Sequence, residues 1–217
     1  MSKQIAKSVI REALHRLDDG EAIVLPLPSP LAYCIVATTP EAINKAKQRP
    51  LAQEVASWIT DATSTFDDLE LSAIDKQRLP WLLHSEGLTV LAPVCSEQPL
   101  PSHWRPSHRN GKVLLFGVRC PHLNWITMCK RPLYVSSANR TGMPSAVTAN
   151  EVKAQLPSGT FIVDGDRLRD PSRHHGSTTM VKLSNGSLQV VRQGIQNETF
   201  GSVHTWVTDL LSRSPNA

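Results

Sequence analysis

Charge is sparse in this chain of 217 residues. Asp, Glu, Lys and Arg together make up 19% of it, against about 25% in an average soluble protein. Hydrophobic residues reach 40%, which excludes wholesale disorder. The 23 Lys+Arg exceed the 19 Asp+Glu by only four, a mild bias that permits anionic ligands but is too little for a dedicated nucleic-acid binder. Cysteine is scarce too. Cys34, Cys95, Cys120 and Cys129 form no C-x-x-C pair, and a chain of this size needs no disulfide framework, so reduced thiols in a cytoplasmic protein are expected. No apolar run approaches the ~20 residues of a membrane span. The first 19 residues mix Lys3, Lys7, Arg11 and Glu12 among apolar positions, unlike a signal peptide. Internal repeats, a phosphate-loop motif, a dinucleotide fingerprint and a nucleophile elbow are all missing.

The pattern that is present alternates helices and strands. Ile5, Val9, Ala13 and Leu17 recur at four-residue steps and predict a helix over 3–17, stopped by Asp18, Asp19 and Gly20. Pro40 opens a second helix that ends near Lys47 to Pro50. The segments 51–59 and 71–77 read as helical, Thr148 and Glu151 have capping-box spacing for a helix over 152–156, and a last helix is predicted over 203–211. Strands are expected at 22–27, 88–92, 112–119, 132–136, 161–163, 177–183 and 188–192, the last two joined through Asn185-Gly186 as a hairpin. The irregular alternation favours an α+β or mixed α/β fold.

Cations and hydroxyls gather at the ends of these elements. Lys47 and Arg49 flank one position beside Pro50, so a helix ending there aims an ammonium and a guanidinium fork at one polyanion, or merely complements the helix dipole. Ser136-Ser-Ala-Asn-Arg-Thr-Gly142 follows an apolar strand directly, either a donor-rich anion site or an ordinary polar turn. Ser177 or Thr178 is expected to approach Arg192 across the hairpin pair. Arg119 ends the apolar run 113–118 and is expected in a mostly buried setting. His174 and His175 lack metal-ligand spacing and read as a hydrated loop pair.

In this order, these segments resemble the YrdC-like family, typified by the threonylcarbamoyl-adenylate synthases of tRNA modification. The resemblance covers roughly Ile23 to Ile195. It rests on the Pro28-Ser29 loop through Tyr33, Lys47-Gln-Arg49-Pro50, Gly117-Val-Arg119, Ser136-Ser-Ala-Asn139 with Gly142, Gly176-Ser-Thr178 and Val191-Arg-Gln-Gly194. It implies one domain with a core of about 20–196 between an N-terminal helix and a C-terminal helical tail, built as a twisted mixed sheet around a concave basic cavity.

The implied activity converts ATP, bicarbonate and L-threonine to threonylcarbamoyl-adenylate and pyrophosphate, with Mg²⁺ carried on the triphosphate and no metal site of the protein's own. Its product would pass to the machinery that modifies adenosine in tRNA. Carried over by position, Lys47 and Arg49 hold the triphosphate, Ser137 and Asn139 bind phosphate or sugar, and Arg119 neutralises phosphates. Ser177 and Arg192 line the adenylate side, and Ser29 and Tyr33 face the amino-acid pocket. A monomer or homodimer is expected.

The chain departs from the family pattern at two places. The loop Pro28-Ser-Pro-Leu-Ala-Tyr-Cys-Ile35 lacks the family's acidic residue and its glycine, and His84-Ser-Glu-Gly-Leu-Thr89 replaces a rigid Pro-Gly-Pro turn. Two alternatives follow: a paralogue that adenylates a different carbamate or amino acid, or a non-catalytic module for tRNA or double-stranded RNA. The last would use Arg105, Arg109, Lys112 and Arg119, with Trp104 stacking on a base.

Overall fold

In a computed structural model, residues 4–61, 66–97 and 99–215 are described. They form two compact units, Met1–Val55 with Cys120–Ser177, and Ala56–Arg119 with Thr178–Ala217. Both mix helices with parallel and antiparallel strands, the α/β class expected.

The first unit is built on four strands, β1 (Ile23–Pro26), β2 (Tyr33–Ala37), β7 (Leu133–Ser137) and β8 (Phe161–Ile162). β2 lies between β1 and β7 and is antiparallel to both, while β8 runs parallel to β1. Every residue of β1 and β2 is buried, so their side chains read as one apolar run rather than an alternation. The sequence pattern missed β2, which continues directly out of the proline-rich loop.

Helix α1 (Lys7–Asp18) buries Ala13 and Leu17, two members of the predicted stripe. Helix α2 (Pro40–Ala46) starts on Thr39, whose hydroxyl accepts from the Ala42 N–H, with Pro40 in the first turn. Helix α4 (Ala149–Gln155) starts on Thr148, which accepts from the Glu151 N–H as its spacing predicts. Val24, Tyr33, Ile35, Ile43, Tyr134 and Val152 form the core between these elements.

The second unit contains β3 (Ala56–Trp58), β4 (Thr89–Pro93), β5 (His108–Arg109), β6 (Lys112–Phe116), β9 (Met180–Ser184) and β10 (Ser187–Arg192). β6 pairs with β3 in parallel and with β4 antiparallel; β4 then pairs in parallel with β9, and β9 antiparallel with β10. The hairpin turn is Asn185-Gly186, with φ of 50° and 77°, the left-handed pair that an Asn-Gly loop supplies. Helices α3 (Ala73–His84) and α5 (Val203–Ser212) pack on this sheet through Leu79, Leu82, Leu83, Trp206 and Leu210.

Four expectations are corrected. Residues 51–59 are a turn followed by β3, not a helix. The cause is Asn44, fully buried on α2, whose amide nitrogen donates to the carbonyls of Leu51 and Gln53 at 2.7 Å each. Those carbonyls are the acceptors a helix would have used. Second, α3 runs on to His84 through Pro80, because burial of Leu79, Leu82 and Leu83 outweighs the ~3 kcal/mol that an internal proline costs. Third, Arg119 is exposed rather than mostly buried: β6 ends at Phe116, and of the residues beyond it Gly117 and Cys120 turn inward while Arg119 faces out. Fourth, Trp104 is buried, with its indole N–H donating to Asp68 at 3.3 Å, so it offers no stacking face. Among the described residues, no helix is long and apolar enough to cross a membrane.

Candidate functional site

The end of α2 turns back on itself. The Gln48 N–H donates to the Lys45 carbonyl and the Arg49 N–H to the Asn44 carbonyl, both at 3.0 Å, which is a Schellman motif with Gln48 in the left-handed region at φ 52°. Gln48 faces solvent while Lys47, on one side of it, is buried and Arg49, on the other, is half-buried.

Lys47 reaches the turn that follows β7. Its ammonium donates to the carbonyls of Ser137 at 2.5 Å and Asn139 at 2.7 Å, and to the Asn139 side-chain oxygen at 3.0 Å. That oxygen also accepts from the Ser137 hydroxyl at 2.5 Å, and the Asn139 amide nitrogen donates to the carbonyls of Arg140 and Met143. Lys47, Ser137 and Asn139, proposed from distant segments, are thus one hydrogen-bonded cluster. Burial, reinforced by the neighbouring Arg49 charge, pushes the Lys47 ammonium down to about 7. The three oxygen acceptors oppose that push, because a neutral amine has only two N–H groups to give them.

Arg49 donates through Nε to the Asn44 side-chain oxygen at 2.7 Å, while its buried Nη2 has no partner. Burial works against its charge and Glu54 supports it. A buried guanidinium nitrogen without a partner is costly, and an anionic oxygen has the chemistry to satisfy it. Asn44 therefore both shapes the turn and aims Arg49; its only local signal is a polar side chain on the inward stripe of α2.

A second cluster in the same unit surrounds Tyr33. Its hydroxyl donates to Asp166 at 2.6 Å and accepts from the Gly165 N–H at 3.0 Å, so both hydrogen-bonding roles are taken within the chain. Burial and the Asp166 carboxylate raise its pKa further above the usual phenol range. Asp166 also accepts from the Ala149 N–H at the start of α4. The Arg169 guanidinium lies 5.0 Å from the Tyr33 ring centroid and donates to the carbonyls of Leu31 and Val147. Ser29 meets His175, with Oγ 3.0 Å from Nε2, and Ser177 meets Ser145 at 2.6 Å. Sequence reasoning missed Asp166 and Arg169, which have no local pattern, and set His175 aside as loop.

Arg119 and Arg192 belong to the other unit. Arg192, exposed on β10, donates to the Thr178 carbonyl at 3.0 Å, the cross-strand approach expected of the hairpin. The Thr178 hydroxyl is instead 2.5 Å from that of Thr89. Arg119 donates its backbone N–H to the His84 carbonyl, and burial together with the Arg119 charge holds the His84 imidazole below its ordinary pKa. Among the described residues, no group of three or more His, Cys, Asp or Glu is arranged to hold a metal ion.

The Sua5_yciO_yrdC family model, described as "Telomere recombination", matches residues 17–194. The chain belongs to this Sua5/YciO/YrdC family. Solved structures with the same fold include Sua5 of P. abyssi complexed with L-threonine (TM-score 0.58, 22% identity, 85% of this chain and 54% of that one). A doubly substituted P. abyssi Sua5 gives a TM-score of 0.65 at 21% identity, over 85% of this chain and 53% of that one. E. coli YciO gives 0.61 at 16% identity, over 88% of this chain and 91% of that one. This Sua5/YciO/YrdC chain spans about half the length of the Sua5 structures it matches. No curated protein matches it.

Proposed function

We propose that this chain is an adenylate-forming enzyme of the threonylcarbamoyl-adenylate synthase type, serving the tRNA modification that its family resemblance implies. The observation that carries the reading is the pairing of buried Lys47 with an Arg49 nitrogen that has no partner in the chain, joined to Ser137 and Asn139. Sua5 from P. abyssi has been solved with L-threonine, and HypF, which has the same fold at 13% identity, in a phosphate- and nucleotide-bound form; both support the reading.

In this reaction a carbamate oxygen attacks the α-phosphorus of ATP and pyrophosphate leaves. The protein must orient two anions and neutralise the charge that moves onto the leaving group. Arg49 supplies a planar fork for phosphate oxygens, and Lys47 a point charge held by three oxygens. Ser137 and Asn139 position Lys47 and line the phosphate side, Ser177 serves the nucleotide, and Ser29 and Tyr33 belong to the acceptor side. Mg²⁺ bound to the triphosphate would screen its charge, while Lys47 and Arg49 supply the protein's own cations. No covalent nucleophile is needed.

Purified protein incubated with ATP, Mg²⁺, labelled bicarbonate and L-threonine is expected to release pyrophosphate and form a labelled adenylate; neither product under any condition would sink the reading. A second acceptor is favoured by one observation. The Tyr33 hydroxyl is committed to Asp166 and Gly165, so recognition of the threonine hydroxyl falls to fewer groups. A panel of amino acids tested for pyrophosphate release separates the two, and a clear threonine optimum rejects the paralogue.

A further inference from the structure

Ser29 and His175 come together from positions 146 residues apart, with Oγ and Nε2 at 3.0 Å. The Asp170 backbone N–H donates to the same Ser29 oxygen at 2.9 Å, which occupies one of its lone pairs and leaves the hydroxyl proton for His175. With the imidazole proton on Nδ1, Nε2 presents the lone pair that receives the Ser29 proton.

This side-chain pair is not what joins the two loops. The Gly176 N–H already donates to the Pro30 carbonyl at 3.1 Å, and the Ala32 N–H to the Gly176 carbonyl at 2.9 Å. Both side chains are half-buried rather than enclosed, and the second lone pair of the Ser29 oxygen remains for a donor from outside the chain. Partial burial, Arg169 and His174 disfavour protonation of His175, while the Arg173 backbone and Asp170 favour it; the balance holds the imidazole below its usual pKa.

We infer that Ser29 and His175 form a proton relay for the acceptor amine: the Ser29 oxygen receives an N–H from the acceptor's ammonium group while its own proton passes to His175 Nε2. The inference rests on the adenylation reading above. An ammonium and a bicarbonate yield a carbamate, a water and one proton. The N–C bond forms, a C–O bond of bicarbonate breaks, one nitrogen-bound proton leaves with the hydroxyl as water, and the relay carries the other to His175. His175 acts through Ser29 and so works as a positioning and proton-accepting residue.

The test is pyrophosphate release from ATP, Mg²⁺, bicarbonate and the preferred amino acid between pH 5.5 and 9.5, for the wild-type chain, Ser29→Ala, His175→Ala and His175→Gln, each checked for folding by circular dichroism. Gln keeps an acceptor of similar reach but takes no proton. Wild-type kcat is expected to be level above the His175 titration and to fall below it. Both His175 variants are expected to lose at least ~10-fold at pH 7, to recover as pH approaches the amine's own pKa, and to keep the KM for ATP within about 2-fold. A His175→Gln profile that superimposes on wild type overturns the relay and leaves adenylation standing. Wild-type protein with no acceptor-dependent pyrophosphate at any pH overturns both. Nitrogen NMR of wild-type His175 reads the tautomer without any variant: a proton on Nδ1 supports the relay, and a proton on Nε2 overturns it.

Discussion

Helices α1 and α2 of the first unit end in the same turn with different residues. After α1, the Gly20 N–H bonds the Leu17 carbonyl at 3.1 Å and the Glu21 N–H the Arg16 carbonyl at 2.8 Å, with Gly20 at φ 79°. After α2 the same two bonds close at 3.0 Å each, but the left-handed residue is Gln48. Glycine enters that region freely, whereas a residue with a Cβ gives up about 1–2 kcal/mol there. Gly20 is flanked by exposed Asp19 and Glu21; Gln48 is flanked by the buried ammonium and the half-buried guanidinium of the candidate site. Strain is tolerated at the turn whose neighbours hold charges inside the protein, the pattern of a functional segment.

The contrast is tested first by removing those charges. Lys47→Ala is expected to lower turnover by at least ~10-fold and, because it strips the donor from two buried carbonyls and the Asn139 oxygen, to cost about 1–3 kcal/mol in a denaturant titration. Arg49→Ala is expected to lower turnover as much, with less loss of stability, since Nη2 has no partner to lose and only the Asn44 bond goes. Equal kinetics for wild type and both variants would remove the basis for the site.

Lys47 also predicts a pH dependence. With the folded pKa pushed down to about 7 from the ordinary 10.5, the unfolded chain binds more protons between those values. Stability therefore rises with pH across that window and is lower below it. Lys47→Met should flatten the rise, as read from unfolding midpoints at pH 7 and 9. A triphosphate binding beside Lys47 raises its pKa again, so calorimetry at pH 8 in buffers of different ionisation enthalpy should record proton uptake that the Lys47→Met variant lacks.

The smallest effects come from the turns themselves. A Cβ at Gly20 meets nothing within 4 Å, so Gly20→Ala should lose about 1 kcal/mol through backbone conformation alone. Gln48→Gly should do the reverse, gaining a few tenths of a kcal/mol to about 1, after the extra freedom of glycine in the unfolded chain is subtracted. If Gln48→Gly instead destabilises, the side chain has a role that the backbone argument omits.

Local chemistry was legible in the sequence wherever a few neighbouring residues decide the outcome. Pro40 starts α2, Thr148 and Glu151 start α4, Gly20 ends α1 and Asn185-Gly186 turns the hairpin, because caps and turns are closed by bonds between residues a few positions apart. Residues 51–59 defeated the same reasoning. Their apolar spacing suits a helix, but the buried Asn44 amide takes two of their carbonyls, and that competition is invisible in a window that omits Asn44.

The candidate site divides in the same way. The sequence by itself determined the mixed α/β class, the helix end at Lys47 to Arg49 and the hydroxyl-rich turn after β7, since each follows from local propensity and order along the chain. Only the tertiary structure decided that Lys47 donates across 92 positions to Asn139, that Tyr33 is tied to Asp166, and that His175 faces Ser29. Hydrogen bonds between buried groups depend on which strands and loops become neighbours, and that is settled by packing of the core rather than by the residues on either side.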